Sequence, residues 1–176
     1  RQKLAGLLPQ KILAGKKAGE KLSVMGPLGQ GFSLPGENEI PVLVAGGIGI
    51  APLYFLAESL KDAPMEFMAG FGTSVDMISS DKIAGGPMGI SIATDDGSEG
   101  YPGMVTELLD KCIEKYIHKK YSLLIYACGP MAMLKNVSSI ASHYNIPCHV
   151  SLEALMACGL GACQGCAVKI HSNDDL

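Results

Sequence analysis

Three cysteines near residue 160 have the spacing of metal ligands. Cys158, Cys163 and Cys166 form a C-x4-C-x2-C pattern, and the residues between them are mostly Gly and Ala. Thiolates at this spacing hold the irons of plant-type [2Fe–2S] clusters, and small residues let the backbone wrap closely around the inorganic sulfides. The pattern therefore predicts a [2Fe–2S] cluster that moves single electrons, with these three cysteines as metal ligands.

Two other uses of these cysteines agree less well with the pattern. Structural zinc favours two C-x2-C pairs, whereas the sequence contains one. A disulfide framework requires an oxidising compartment, and we recognise no secretory signal in the residues given. A plant-type cluster also needs a fourth cysteine downstream, and none follows before Leu176. We therefore expect that the chain is cut at this end.

Composition narrows the classes of protein to consider. The 176 residues are 48% hydrophobic and carry a net charge of −3 without a basic run, which argues against a nucleic-acid partner. No apolar stretch approaches the roughly 20 residues needed to cross a bilayer. Six cysteines without an export signal favour a reducing compartment. We expect a cytoplasmic protein without membrane or nucleic-acid partners.

The middle of the sequence alternates strand and helix patterns, and these elements must position any site. The predicted strands are 41–45, 65–70, 89–93, 122–127 and 148–152, and the predicted helices are 52–60, 105–116 and 131–144. This alternation predicts an α/β fold with a parallel, doubly wound nucleotide-binding sheet covered on both faces. Ligands of such sheets bind beyond the carboxyl ends of the strands.

The first of these strand ends is rich in glycine. The residues from Gly46 to Pro52 read Gly-Gly-Ile-Gly-Ile-Ala-Pro. Glycines there let backbone N–H groups approach a pyrophosphate, and Pro52 fits the first turn of a helix. We predict that Gly46, Gly47, Gly49 and Pro52 line a nucleotide turn. The run is not G-x-G-x-x-G, and a tight turn without a ligand is the alternative.

Three later strand ends have distinctive residues. The second, 70–76, contains no Arg or Lys that could bind the 2′-phosphate of NADP. This composition favours NAD over NADP. The third contains Asp95 and Asp96, whose carboxylates either contact a ligand or cap turns. The fourth contains Cys128, whose sulfur either lies near a nicotinamide or is simply a buried thiol.

Taken together, Gly-Gly-x-Gly-x-Ala-Pro, Thr-Asp-Asp-Gly and Cys-Gly-Pro-Met resemble the nicotinamide-binding half of the ferredoxin–NADP reductase superfamily. The cluster loop that follows Val150-Ser151-Leu152-Glu153 narrows the resemblance. The sequence is similar to the electron-transfer subunits of NAD-linked dihydroorotate dehydrogenase B, an iron–sulfur flavoprotein family, over residues 22–169.

The resemblance implies an oxidoreductase subunit with a [2Fe–2S] cluster, FAD and NAD as cofactors. In that family an FMN-containing catalytic subunit oxidises dihydroorotate in pyrimidine biosynthesis, and electrons pass through the cluster and FAD to NAD+. The implied assembly is a heterotetramer of two subunit types. Seven residues would then face the nicotinamide side: Thr94, Asp95, Asp96, Cys128, Gly129, Pro130 and Met131.

The same resemblance implies that Gly26, Pro27 and Leu28 contact the flavin, although an ordinary Gly/Pro linker is the alternative there. It divides the chain into a remnant of a flavin-binding β-barrel (1–35), an NAD-binding domain (36–150) and an incomplete [2Fe–2S] cluster domain (151–176). Because the barrel is short and the fourth cluster cysteine is missing, we expect that both ends are cut and that the fragment alone is inactive.

Two other functions remain open. Small subunits of ferredoxin:NAD(P) oxidoreductases and sulfide dehydrogenases combine the same nucleotide fold with a cluster loop, but serve a different catalytic partner. Alternatively, the fragment only binds nucleotide or cluster and does no chemistry itself. The identity of the co-purifying partner would distinguish the first alternative from a dihydroorotate dehydrogenase subunit. The presence or absence of flavin absorbance would distinguish a pure binding module from an electron-transfer subunit.

Overall fold

The structure is a computed structural model that describes residues 15–23, 31–77, 89–119, 121–152 and 157–168. The chain divides into two compact units. One is Phe32–Glu153, and the other combines Arg1–Gly31 with Ala154–Leu176. The boundaries of the three predicted domains stay a prediction. In the described residues no helix has the length and apolar character that a membrane span requires.

The larger unit is built on a parallel sheet whose described part has six strands. They are β1 (Glu39–Gly46), β2 (Glu66–Phe71), β3 (Ser91–Thr94), β4 (Tyr101–Pro102), β5 (Ser122–Cys128) and β6 (Cys148–Ser151). They lie in the order β4-β3-β2-β1-β5-β6, and every neighbouring pair is parallel. The predicted α/β fold with a parallel sheet is therefore confirmed.

Strand β1 lies at the centre and is buried on both faces, as its continuous apolar sequence requires. It pairs with β2 up to Gly46 opposite Gly70, and with β5 up to Ala45 opposite Cys128. The carboxyl ends of three central strands therefore lie level with one another, which creates one edge at which a ligand can meet all of them.

Three α-helices among the described residues pack on the two faces of the sheet. Helix α1 (Ile50–Ser59) packs its buried Leu53, Leu56 and Ala57 on one face. Helices α2 (Val105–Tyr116) and α3 (Met131–His143) pack on the other face. The amphipathic stripe of α2 buries Leu109, Cys112 and Ile113 as its 3.6-residue period predicts.

The predicted elements agree with the structure to within one or two residues, except at one strand. Helix α2 has the predicted bounds, and Pro52 lies in the first turn of α1. Strand β4 was not predicted, because two residues, Tyr101 and Pro102, are too few to show an alternating pattern.

Candidate functional site

A cavity of about 430 Å³ opens at the carboxyl ends of β1, β2 and β3. Its size falls in the range of small-molecule sites. The turn before α1 and the first turns of α2 and α3 complete the wall. The lining residues are Gly46, Gly47, Gly70, Phe71, Gly72, Asp76, Asp95, Met104, Val105, Thr106, Pro130, Ala132, Met133 and Asn136.

Two glycines of the first strand end are required by close packing. A Cβ atom on Gly46 would lie 2.6 Å from the sulfur of Met133, and one on Gly49 would overlap the carbonyl oxygen of Cys128. Gly129 is required for the same reason, because a Cβ there would lie 2.9 Å from the Gly46 Cα. The absence of side chains brings the ends of β1 and β5 into contact beside the cavity.

Gly47 has a different reason to be glycine. Its φ of +52° lies in the left-handed region, and no heavy atom lies within 4 Å of the position that a Cβ would occupy. It lines the cavity, so its backbone is accessible to a ligand. Helix α1 follows directly at Ile50 with no acidic residue in its first turn and no side-chain cap. This turn is therefore suited to an anionic group.

The ends of β2 and β3 are tied to each other by their backbones. The Asp95 N–H donates to the Phe71 carbonyl at 3.0 Å, and the Asp96 N–H donates to the Gly72 carbonyl at 3.3 Å. Asp95 lines the cavity, whereas Asp96 does not. The pair thus differs in location although the two residues are adjacent and chemically identical.

Asp96 and Thr94 make local turn contacts. The Asp96 carboxylate accepts from the Ser98 hydroxyl at 2.6 Å and the Ser98 N–H at 3.0 Å. These bonds, the hydroxyl first, hold the pKa of Asp96 below its ordinary value. Thr94 is buried, and its hydroxyl donates to the Glu99 carbonyl at 2.7 Å. The turn-capping alternative describes these contacts, and a nucleotide contact for either residue stays a prediction.

The cavity has an acidic lining. Asp76 and Asp95 are its charged residues, and no Lys or Arg stands among the lining residues that the structure describes. The donors available to an anionic ligand are therefore backbone N–H groups and the neutral side chains of Thr106 and Asn136, and a further phosphate near the two carboxylates is disfavoured.

At the fourth strand end, the structure separates the predicted residues. Pro130 lines the cavity and precedes α3, whose first residue, Met131, is 47% exposed. Cys128 is buried among core residues on the α1 face and is not part of the lining. A place for Cys128 beside a nicotinamide stays a prediction.

Sequence reasoning missed several lining residues. Thr106 and Met133 belong to the first turns of α2 and α3, and Asn136 lies in the second turn of α3. Their position just after strand ends is the signal that could have identified them, because helices after parallel strands begin at the ligand-binding edge.

The cysteine loop lies in the smaller unit, and its backbone turns sharply. Gly159 and Gly161 have φ values of 68° and 76°, and Gln164 has a φ of 51°. The Leu160 N–H donates to the Cys158 Sγ at 3.4 Å. Hydrogen bonds from the backbone N–H groups of Cys163 and Leu160, in that order of effect, lower the pKa of Cys158 to about 6.

These features fit an iron–sulfur ligand loop. The thiolate is the form that binds metal, and N–H groups directed at the sulfur stabilise it. Cys163 is exposed, and Cys158 and Cys166 are partly exposed. No group of three or more His, Cys, Asp or Glu side chains converges on a metal position within the described residues. Cluster ligation by all three cysteines stays a prediction.

Gly26, Pro27 and Leu28, the predicted flavin contacts, lie outside the described residues. Shortly after them the larger unit begins with Phe32 and Ser33. Phe32 packs edge-to-face on Tyr126 with ring centroids 5.4 Å apart, and the Tyr126 hydroxyl donates to the Ser33 carbonyl at 2.7 Å.

Comparison with known proteins gives matches for the cysteine loop and for most of the chain. Residues 153–175 match the family model for the iron–sulfur cluster binding domain of dihydroorotate dehydrogenase B. The chain is 37% identical over 167 residues to the dihydroorotate dehydrogenase B (NAD(+)) electron transfer subunit of Desulforamulus reducens, covering 94% of this chain and 62% of that protein. The corresponding protein of Caldanaerobacter subterraneus subsp. tengcongensis is 35% identical, with 93% and 62% covered.

Solved structures show the same fold. An NADH-dependent reduced ferredoxin-NADP oxidoreductase structure matches with a TM-score of 0.70 and 33% identity, over 89% of this chain and 55% of that one. The ferredoxin reductase of carbazole 1,9a-dioxygenase matches with a TM-score of 0.58 and 22% identity, over 72% of this chain and 41% of that one.

Fold and site together define a parallel α/β domain with a ferredoxin reductase-like fold, in a chain that also carries a cysteine loop matched by an iron–sulfur cluster domain. Within that class, the resemblance to the electron transfer subunit of NAD-linked dihydroorotate dehydrogenase B is confirmed along most of the sequence. The chain spans about 62% of the length of these relatives.

Proposed function

We propose that this chain is part of the electron-transfer subunit of an NAD-dependent dihydroorotate dehydrogenase in the cytoplasm. The proposal depends most on one observation: a cavity at the carboxyl edge of a ferredoxin reductase-type sheet and a cysteine loop matched by the dihydroorotate dehydrogenase B cluster domain occur in the same chain. The matching relatives carry this function in their names.

The cofactors in the proposal are a [2Fe–2S] cluster, FAD and NAD. When bound, the cluster transfers single electrons and the flavin converts them to the two-electron chemistry of nicotinamide. The protein supplies position and electrostatics for both.

The residues of the cavity would bind the dinucleotide. The Gly47 turn before α1 presents its backbone to the diphosphate, where no side chain blocks the approach. Gly70 allows α2 to come close, because a Cβ there would lie 2.8 Å from the Val105 Cβ. Asp76 and Asp95 disfavour an additional phosphate, which supports NAD over NADP.

The cysteine loop would hold the cluster. Cys158 is suited to bind iron, because backbone N–H groups already stabilise the thiolate form of its side chain. Cys163 and Cys166 follow in a loop whose left-handed residues allow close wrapping.

An FMN-containing catalytic subunit is the proposed partner, and a heterotetramer of two subunit types the proposed assembly. The name of the relatives, electron transfer subunit, supports a separate catalytic subunit. Oxidation of dihydroorotate would take place there, in pyrimidine biosynthesis.

The proposal is tested by anaerobic purification of the chain, alone and with a dihydroorotate-oxidising partner subunit. Iron and acid-labile sulfide are counted, the visible spectrum is recorded, and NAD+ binding is measured by calorimetry. We expect iron and acid-labile sulfide in equal amounts and NAD+ bound more tightly than NADP+. Reduction of NAD+ by dihydroorotate should require the complex. Zinc in place of iron, or no NAD+ binding, would contradict the proposal.

One observation favours a second candidate, a subunit of a ferredoxin:NAD(P) oxidoreductase. The solved structure at 33% identity is described as an NADH-dependent reduced ferredoxin-NADP oxidoreductase. The cluster domain match and the curated relatives favour the dihydroorotate function over it. Ferredoxin-dependent NADP+ reduction without any response to dihydroorotate would reverse this order.

A further inference from the structure

The first turn of α2 carries a carboxylate, Glu107, that lies just behind the cavity wall. Its Oε2 accepts a hydrogen bond from the Tyr101 hydroxyl at 2.8 Å, and its Oε1 accepts one from the Met104 N–H at 3.4 Å. The Glu107 N–H in turn donates to the Met104 carbonyl at 3.0 Å. Glu107 therefore forms a reciprocal cap with the residue at which the α2 side of the cavity begins.

The same carboxylate fixes the loop that leads into α2. Gly103, with a φ of +138°, donates its N–H to the Thr94 carbonyl at 2.9 Å. A Cβ on Gly103 would lie 3.0 Å from the Glu107 Oε2. The Lys111 Nζ lies 4.1 Å from the centroid of the Tyr101 ring. The position of Met104 in the wall is therefore set by a contact network centred on Glu107.

The charge of Glu107 distinguishes the helix starts around the cavity. Neither α1 nor α3 has an acidic residue in its first turn or a side-chain cap, whereas α2 has Glu107. A helix start carries a partial positive charge that attracts anions, and a carboxylate in the first turn offsets it. The starts of α1 and α3 therefore attract a ligand phosphate more strongly than the start of α2 does.

We infer that Glu107 is a positioning residue for the dinucleotide: it holds the α2 wall in place and directs the diphosphate toward the starts of α1 and α3. The inference rests on the proposed function, because it requires a nicotinamide dinucleotide in this cavity. Glu107 itself is not among the lining residues, so it acts through Met104 and through its charge.

Calorimetric titrations with NAD+ and with inorganic pyrophosphate test both roles, using Glu107→Ala, Glu107→Gln and Tyr101→Phe. We expect Glu107→Ala to weaken NAD+ binding about tenfold and Tyr101→Phe about threefold. Glu107→Gln should stay within about threefold of wild type, because Gln also completes the cap. Pyrophosphate should bind more tightly to both Glu107 variants, because the negative charge is gone. Glu114→Gln, on the same helix and outside the lining, is the matched control.

The outcomes separate this inference from the proposed function. If the wild-type chain does not bind NAD+, the proposed function fails, and the inference fails with it. If wild type binds NAD+ and folded Glu107→Ala binds it equally well, the inference alone is overturned. If Glu107→Ala does not fold, Glu107→Gln and Tyr101→Phe decide. The first removes only the charge, the second removes only the hydrogen bond from the Tyr101 hydroxyl, and both keep the cap. A Gln variant with wild-type affinity for pyrophosphate would refute the electrostatic role.

Discussion

The cavity at the carboxyl edge of the sheet and the cysteine loop are both rich in glycine, but most of these glycines serve different purposes. Around the cavity, Gly46 and Gly49 are required because neighbouring backbone and side chains leave no room for a Cβ. In the cysteine loop, Gly161 has open space around it but a left-handed φ of 76°. Gly47, with a φ of +52° and open space around it, resembles the loop glycine, but Gly46 and Gly49 serve tight packing between elements, whereas Gly161 serves local backbone conformation.

The largest expected effect comes from removing a ligand in the cysteine loop. Cys158→Ser should abolish iron binding, because the thiolate that the backbone stabilises is lost, while NAD+ affinity should stay unchanged. Iron analysis and calorimetry on the same sample check both parts. Cys148→Ala is the control: burial raises the pKa of that thiol to about 11, and its iron content should equal that of wild type. Iron retained in Cys158→Ser would contradict the assignment.

The second effect compares the two kinds of glycine directly. Gly49→Ala should destabilise the larger unit by about 3 kcal/mol, because its Cβ would overlap a backbone carbonyl that cannot move aside. Gly161→Ala should cost about 1–2 kcal/mol, confined to the loop, because only the left-handed backbone is strained. Urea denaturation followed by circular dichroism measures the first variant, and iron retention the second. If Gly49→Ala and Gly161→Ala lowered the free energy of unfolding equally, the distinction between packing glycines and left-handed glycines would be wrong.

A smaller effect concerns the charge of the cavity. Asp95→Asn should improve NADP+ binding about threefold relative to NAD+, because one of two carboxylates in the lining is neutralised. Asp96→Asn is the matched control, since that side chain is bonded to Ser98 and lies outside the lining. Kd values for both nucleotides provide the readout. The idea is wrong if the two variants change the NADP+ to NAD+ ratio equally.

The smallest expected effect is on stability and comes from the ion pair between Lys115 and Glu66 in the larger unit. Burial raises the pKa of Glu66, but hydrogen bonds from Lys115 at 2.6 Å and Tyr116 at 2.7 Å outweigh it and lower the pKa below 4.5. The pair therefore stabilises the fold above pH 4.5, and this contribution disappears as the pH falls through the lowered pKa. Lys115→Met should cost about 0.5 kcal/mol at pH 7 and nothing in strong acid. Denaturation curves at both pH values check it; a cost that persists in acid would point to lost packing instead.

The parts of the fold that could be predicted are those with a strong periodic pattern. Strand β1 and helix α2 are recognisable because one is continuously apolar and the other alternates with a period of 3.6 residues. The location of Gly46 and Gly47 at the cavity followed from the rule that ligands bind at the carboxyl ends of parallel strands.

The remainder of the site depends on contacts distant in sequence. The residue types alone do not distinguish Asp95 from Asp96, and both bond to the end of β2 through their backbones. In the folded turn the Asp96 carboxylate bonds to Ser98, whereas Asp95 lines the cavity. Likewise, Asn136 becomes a lining residue only because α3 begins beside β1. Such pairings arise from the assembled sheet, which a pattern within one segment does not encode.

The central place of β1 in the sheet has a consequence for how the larger unit folds. Its two neighbours are β2, which follows soon after it, and β5, which comes from the far half of the unit. Pairing between strands that are far apart in sequence raises the contact order, and proteins with a high contact order fold slowly. During synthesis on the ribosome, the first half of the unit emerges with one edge of β1 still unpaired. The cavity therefore forms late, after β5 has closed the sheet, and the exposed edge of β1 is the point at which the nascent chain is most vulnerable to aggregation.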